Sequence, residues 1–210
     1  MIEKSVKLYT FEELPKEVQD KLIKNEINEV NGISNNNYNI LSNDIIKNWS
    51  VKLEELGFKD VKVRYSGFWC QGDGASFTSE SIKLDKVVNI HILKENLKHI
   101  RLLKDGTILK VLKDLEISLK VRDHHYCHYN TVGCETSYYQ TLNNNHPILF
   151  DRLTDWLFDY IENLQKDYAE EIYRELEKEY DYCHSEEFVK EILIESDNVL
   201  YFADGVIFNE

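Results

Sequence analysis

The chain has little proline, a single methionine and no long apolar run. Two prolines occur in 210 residues. Nowhere does an uninterrupted apolar stretch approach the roughly eighteen residues that a membrane-spanning helix needs, and the first residues lack the apolar core of a signal peptide. We therefore expect a soluble, intracellular protein that has no membrane partner.

Cysteine pairs at the spacing of metal or redox motifs are also missing. The four cysteines are Cys70, Cys127, Cys134 and Cys183, and none forms a Cys-x-x-Cys pair. In a reducing compartment such residues are usually free thiols. We predict no disulfide.

No cluster of lysine and arginine is expected to follow a groove or a helix face, and the net charge is −13. Contacts with a phosphate backbone depend on such cations, so direct nucleic-acid binding is not expected. The negative charge is regional, because residues 151–200 carry sixteen acids and five bases whereas the rest carries twenty-two and twenty. Signatures of nucleotide binding, hydrolysis or group transfer are missing too. The sequence identifies neither a reaction nor a cofactor, and it favours a non-enzymatic role.

The apolar content predicts a folded chain. Hydrophobic residues make up 42% and aromatic residues 12%, which is enough for a packed core. At this length one domain is commoner than two. We predict a single α+β domain over residues 1–210.

Helical periodicity dominates the N-terminal part. A capping pattern and Pro15 predict a helix over residues 14–30. After a polar loop at residues 34–37, a second helix is predicted over residues 40–56, where Gly57 ends it.

The C-terminal part also reads as helical. From Pro147 to Tyr180 the apolar positions keep helical register, which predicts one helix about 50 Å long. A shorter helix is predicted from Ser185 to Ile194, and a closing hairpin from Tyr201 to Phe208. Residues 82–118 fit helices better than strands.

Two hairpins are predicted between these helices. Residues 59–66 alternate polar and apolar side chains, and residues 75–78 are the expected partner strand. Residues 117–129 and 136–142 flank a turn at 130–134 and predict the second hairpin. Because no βαβ alternation occurs, the class is α+β, with antiparallel hairpins packed against several helices that include a long C-terminal one.

The segment between the first two strands is the first candidate site. Its glycines permit close backbone approach, its Gln and Asp side chains can hydrogen-bond, and its aromatic rings can stack on a planar ligand. The alternative is a tight hairpin whose glycines serve only the turn. The predicted partner- or ligand-binding loop consists of Ser66, Gly67, Phe68, Trp69, Gln71, Gly72, Asp73, Gly74 and Ser76.

Residues 123–129 are rich in histidine and suggest a zinc site. On a strand, His124 and His128 would lie ~13 Å apart at ~3.3 Å per residue, too far to share one tetrahedral ion. We therefore predict that this segment binds no metal. We interpret it instead as the polar face of a strand. His125 and His128 are candidate ligand contacts, and His128 is the candidate proton-transfer group because imidazole titrates near neutrality.

An acidic row lies on the predicted long helix. Asp151, Asp155, Asp159 and Glu162 follow one another at helical spacing, although like charges at that spacing destabilise a helix by a few tenths of a kcal/mol per pair. Carboxylates repeated about every 6 Å along a rod can imitate a phosphate backbone and occupy a nucleic-acid-binding groove of another protein. The alternative is a solvated face that keeps the protein soluble.

Four segments together resemble a family of proteins encoded by bacteriophages and prophages, some of them labelled antitoxin-like. They are residues 9–14, 65–77, 125–128 and 201–208, of which the second is the most specific. Cys70 departs from the pattern, in which serine is expected. The resemblance implies a small accessory protein of a mobile element, located in the cytoplasm of a bacterial host cell.

Three functions are consistent with these features. The leading hypothesis is a non-enzymatic binding protein that inhibits a host defence effector, in an anti-CRISPR-like or other counter-immunity role, through the acidic row, the loop or both. The second is a small-ligand site that binds or processes a nucleotide signal where the loop meets His125 and His128. The third is an antitoxin that neutralises a cognate toxin.

Overall fold

The computed structural model of the protein describes residues 6–98, 100, 104–136, 147–196 and 198–208. Helices and short antiparallel strands make up these residues, which confirms the predicted α+β class. The helices are α1 (Lys16–Asn28), α2 (Ile33–Leu56), α3 (Leu84–Val87), α4 (Ile90–Asn96), α5 (Asp105–Asp114), α6 (Pro147–Cys183) and α7 (Glu186–Glu195). The strands are β1 (Phe58–Lys59), β2 (Lys62–Tyr65), β3 (Ala75–Thr78), β4 (Ser81–Ile82), β5 (Ile117–Val121) and β6 (Val132–Thr136).

The chain divides into two compact units. One comprises Met1–Asp44 with Leu176–Glu210, and the other comprises Ile45–Glu175. The single domain over residues 1–210 stays a prediction. All of the predicted site residues belong to the second unit.

The first unit is built on α1 and α7, which pack against each other. Ile23 of α1 and Val189 of α7 are buried there. Tyr9 and Tyr201 exchange backbone hydrogen bonds of 3.0 and 2.9 Å. The predicted closing hairpin is present as a turn at Gly205, whose φ is +86°, although an isolated bridge closes it rather than a pair of strands.

The second helix begins earlier than predicted. Residues 34–37, predicted as a loop, form the first turns of α2. The Glu26 carboxylate accepts a hydrogen bond from the Ile33 amide at 2.8 Å, and the Asn37 side chain donates to the Ile33 carbonyl at 2.9 Å. The loop prediction was wrong because the Glu26 carboxylate satisfies an amide at the helix start, which outweighs the turn preference of asparagine.

Among its described residues, the second unit holds three two-stranded antiparallel pairs, β1 with β4, β2 with β3, and β5 with β6. In the β2–β3 pair, Val63 lies opposite Phe77 and Tyr65 opposite Ala75, which confirms the first predicted hairpin. The helices α3, α4 and α5 lie within residues 82–118, as predicted.

The second hairpin has different bounds from those predicted. Its strands are β5 and β6, so residues 122–131 connect them, and the predicted strand residues 137–142 lie outside the described residues. Asp123 Oδ1 accepts a hydrogen bond from the His125 amide at 2.8 Å. The strand prediction for this stretch was wrong because such local side-chain bonds compete with a strand ladder.

The helix α6 confirms the predicted long C-terminal helix and supplies much of the core of the second unit. Leu157, Ile161 and Ile172 are completely buried, and each large buried side chain contributes roughly 1.5–3 kcal/mol. The Tyr160 hydroxyl donates to the Val87 carbonyl at 3.3 Å, which ties α6 to α3.

Candidate functional site

The glycine-containing loop between β2 and β3, residues 66–74, is closed by one carboxylate. Asp73 Oδ2 accepts hydrogen bonds from the backbone amides of Trp69 at 2.9 Å and Cys70 at 2.6 Å. The Asp73 amide donates back to the Cys70 carbonyl, and the Ser66 amide donates to the Gly74 carbonyl, both at 3.0 Å. The backbone of the loop is therefore held in one turn by its own hydrogen bonds.

The base of the loop is anchored on α6, whereas its end faces solvent. The Phe68 ring lies 5.3 Å from the Tyr173 ring, and the Tyr173 hydroxyl donates to the Gly67 carbonyl at 3.0 Å. Trp69 is 77% exposed, and Gln71 is exposed as well. The loop thus combines a fixed base with an exposed indole.

Two glycines of the loop allow the histidine-rich connection to pack on it. A Cβ placed at Gly72, whose φ is +99°, would lie 2.7 Å from Tyr126 Cδ1. A Cβ at Gly74 would lie 3.0 Å from His128 Cδ2. The structure therefore brings the predicted loop and His128 together, and the glycines serve this contact as well as the turn.

The two candidate histidines have different surroundings. His128 Nδ1 accepts a hydrogen bond from the Asn130 amide at 3.2 Å, so a neutral His128 ring carries its proton on Nε2. The His125 ring is exposed and packs edge-on against Tyr126, with ring centres 4.5 Å apart. Of the two, His128 is the one that contacts the loop.

A cavity of about 220 Å³ opens beside His128. Its walls come from the end of the loop, from the 3-10 turn at Tyr129 and from α6. The charged groups at its rim include Arg174, whose guanidinium donates to the Glu170 carboxylate at 3.3 Å. The lining residues are Asp73, Gly74, Ala75, His128, Tyr129, Ala169, Glu170, Tyr173 and Arg174.

Two of the predicted loop residues are buried serine hydroxyls. Ser76 is completely buried. The hydroxyl oxygens of Ser66 and Ser76 have no hydrogen-bond partner among the described residues. Strand β3 turns the Ser76 side chain away from solvent, and its role in binding a partner or a ligand stays a prediction.

The acidic row does not act as one surface. Asp151, Asp155 and Asp159 are exposed on α6. Glu162 instead accepts a hydrogen bond from Arg122 Nη2 at 2.8 Å and another from the Cys134 amide at 2.9 Å. Glu162 therefore links α6 to β6, and its membership of a presented acidic face stays a prediction.

Cysteine chemistry is suppressed near this contact. Burial, with a further contribution from Glu162, raises the pKa of the Cys134 thiol to about 12. All four cysteines are free thiols, and Cys70 in the loop is exposed. In the described part of the chain, no three His, Cys, Asp or Glu side chains form a group suited to hold a metal ion.

A basic concavity, which sequence analysis missed, lies elsewhere in the second unit. It has a volume of about 450 Å³ and is bounded by the β1–β4 pair, α3 and α5. We call it the lysine groove, after Lys59, Lys83, Lys86 and Lys113. In the sequence only Lys83 and Lys86 lie near each other. Lys59 and Lys113 are distant in the chain, and the fold brings them to the same groove.

These features define an α+β protein whose candidate site is a glycine-containing loop packed on a histidine segment and a long helix. The chain belongs to the family described as a domain of unknown function, DUF8835, whose model matches residues 41–186. That range contains every candidate site residue named above. No curated protein and no solved structure matches the chain. Across the residues described, no helix has both the length and the apolar character needed to cross a bilayer.

Proposed function

We propose that the protein is a non-enzymatic binding protein that engages a second protein through the exposed end of the glycine-containing loop. The observation that carries this proposal is Trp69, a 77% exposed indole on a turn held by Asp73. Tryptophan is enriched among the residues that dominate protein interfaces. A side chain on a turn that is already ordered loses less conformational entropy when it binds.

A second aromatic residue extends this surface. Tyr126 is 45% exposed and packs over Gly72 at the same loop. Large aromatic side chains fill apolar pockets of a partner and can keep their polar atoms hydrated. We define the loop surface as Trp69, Cys70, Gln71 and Tyr126.

The proposal also includes the kind of partner. The family resemblance of the loop and of the histidine segment supports a phage or prophage origin, and a host defence effector is the partner that such an origin favours. Because Asp151, Asp155 and Asp159 stay exposed on α6, a basic nucleic-acid-binding groove on that effector would complement them. This shortened row, without Glu162, is the part of the protein that we propose to act as a nucleic-acid mimic.

Capture from a bacterial host tests the proposal. The tagged protein and the variant Trp69→Ala would be purified from host cells. The control is Val51→Ala, because Val51 is an exposed apolar residue on α2, away from the loop. We expect mass spectrometry to find a defence protein that Val51→Ala retains and Trp69→Ala loses. Equal retention by both variants would contradict the role of the loop, and a retained toxin encoded by a neighbouring gene would identify an antitoxin instead.

The cavity beside His128 supports a second candidate function, the binding or processing of a small nucleotide signal. Its volume of about 220 Å³ is below the ~300–1,000 Å³ of sites for drug-sized ligands, so only part of such a nucleotide, such as its base, would lie inside it. The His128 Nε2–H group and the Arg174 guanidinium are the donors that would face such a ligand.

A thermal-shift screen with mono-, di- and cyclic nucleotides tests this second function. We expect a binding nucleotide to raise the melting temperature of the wild type, and Arg174→Ala to lose that increase. If no nucleotide stabilises the protein, the cavity has no such ligand.

A further inference from the structure

The lysine groove concentrates positive charge on a strongly acidic protein. Four lysines line it together with only two carboxylates, those of Asp85 and Glu116, although the whole chain carries a net charge of −13. The groove therefore differs in charge from the acidic region at residues 151–200.

Among the described residues, three of the four groove lysines lack an ion pair. Lys113 lies 3.8 Å from Asp85. Lys59, Lys83 and Lys86 form no ion pair with any residue in the described ranges. Like charges gathered in a concavity repel one another, and the walls focus their field outward, so a bound anion would be stabilised.

The backbone that carries the lysines is well fixed. The Lys83 amide donates to the Gly57 carbonyl at 2.8 Å, and the Lys59 carbonyl accepts from the Glu80 amide at 3.0 Å. Beneath the side chains, Leu84 and Leu112 are almost completely buried. The groove is therefore a formed feature of the fold, lined by flexible ammonium groups that can close on a ligand.

We propose that the lysine groove binds a compact polyphosphate anion, such as a nucleoside triphosphate. Ammonium groups bind phosphate oxygens as point charges, and several phosphates are needed to engage several lysines. The volume of about 450 Å³ falls within the ~300–1,000 Å³ of small-molecule sites.

The surroundings favour a compact ligand over a nucleic-acid strand. Asp60 follows Lys59, Asp114 follows Lys113, and both carboxylates are exposed. Asp85 and Glu116 lie in the lining itself. A phosphate backbone that continued out of the groove past Lys59 or Lys113 would meet Asp60 or Asp114, whereas a short polyphosphate need not reach those two carboxylates.

Calorimetric titration with sodium triphosphate and with ATP tests the proposal. We expect both to bind the wild-type protein and to bind more weakly at higher salt, because screening weakens contacts between exposed charges. The double variant Lys83→Glu/Lys86→Glu should lose at least about tenfold in affinity, equivalent to ~1.4 kcal/mol.

The matched control is Lys47→Glu/Lys110→Glu, which changes the net charge equally at exposed lysines outside the lining. We expect this control, and Arg174→Ala at the cavity beside His128, to keep triphosphate binding. If both double variants lose the same affinity for triphosphate, the loss follows from overall charge, and the proposed site is wrong. Absence of binding by triphosphate and ATP, or tighter binding of a single-stranded oligonucleotide than of ATP, would overturn it as well.

Discussion

At the scale of single residues, Gly72 is a position where the loop packs closely against the histidine segment. Its φ of +99° is strained for other residues, and an added Cβ would lie 2.7 Å from the Tyr126 ring. We expect Gly72→Ala to lower the free energy of unfolding by about 1–3 kcal/mol, because it combines backbone strain with overpacking. Urea unfolding measures this change.

A second glycine supplies the matched control. Gly106 lies in α5, and nothing is within 4 Å of a Cβ placed there. Gly106→Ala should leave stability unchanged or raise it by up to about 1 kcal/mol, since alanine is the better helix former. If Gly72→Ala is as stable as Gly106→Ala, the close packing of Tyr126 on the loop is contradicted.

The buried thiol of Cys134 should make the stability of the protein depend on pH. Its pKa in the folded protein is raised from 9.0 to about 12 by burial and by Glu162. Below pH 9 the thiol is neutral in both states. Above pH 9 the unfolded chain loses the proton that the folded chain keeps, so this group lowers stability as pH rises, by at most about 1.4 kcal/mol per pH unit.

The variant Cys134→Ala isolates this effect. Its free energy of unfolding should fall less steeply than that of the wild type between pH 9 and pH 11. Parallel curves for the two proteins would mean that Cys134 titrates in the folded state as it does in the unfolded chain.

At the scale of elements, α6 carries carboxylates with opposite effects on stability. Glu162 binds Arg122 and the Cys134 amide, so Glu162→Ala should cost about 1–3 kcal/mol, in the range of a charged hydrogen bond. Asp155 is exposed between two like charges one turn away. Asp155→Ala should therefore raise stability by a few tenths of a kcal/mol.

Urea unfolding of both variants at low salt checks this contrast. Equal and small changes would show that Glu162 belongs to the same solvated face as Asp155. Such a result would support the acidic face of four carboxylates that helical periodicity predicts.

Elements with strong local patterns were predictable from the sequence. The unbroken apolar register after Pro147 gave the long helix, and the alternation in residues 59–66 gave the first hairpin. The start of α2 was not predictable, because Glu26 caps it from another helix. The early end of β5 was missed because the turns at Asp123 and His128 interrupt a stretch rich in strand-forming residues.

The candidate site was only partly predictable. Flexible glycines beside a tryptophan indicated the loop. The expected contact between the loop and His128 is present in the structure. The helical spacing of the acidic row says nothing about Arg122, which is distant in sequence and takes Glu162 out of the row. The lysine groove could not be predicted from the sequence, because its residues are far apart in the chain.

At the scale of the whole molecule, the distribution of charge governs how partners approach. Charge reversal of Asp151, Asp155 and Asp159 to lysine should weaken binding of the captured partner at low salt, and the difference should shrink at 0.5 M salt (a Debye length of roughly 4 Å), where screening is strong. Titration of the purified partner at two salt concentrations measures this. Unchanged binding at low salt would remove nucleic-acid mimicry while leaving the loop surface in place.

Hydrogen–deuterium exchange of the complex with the captured partner tests the central claim most directly. If the ordered loop presents Trp69 to that partner, amide protection on binding will be greatest in residues 66–74 and 124–128, and Trp69→Ala will abolish it. Protection that is confined to other residues, with the loop exchanging as fast as in the unbound protein, would contradict the account.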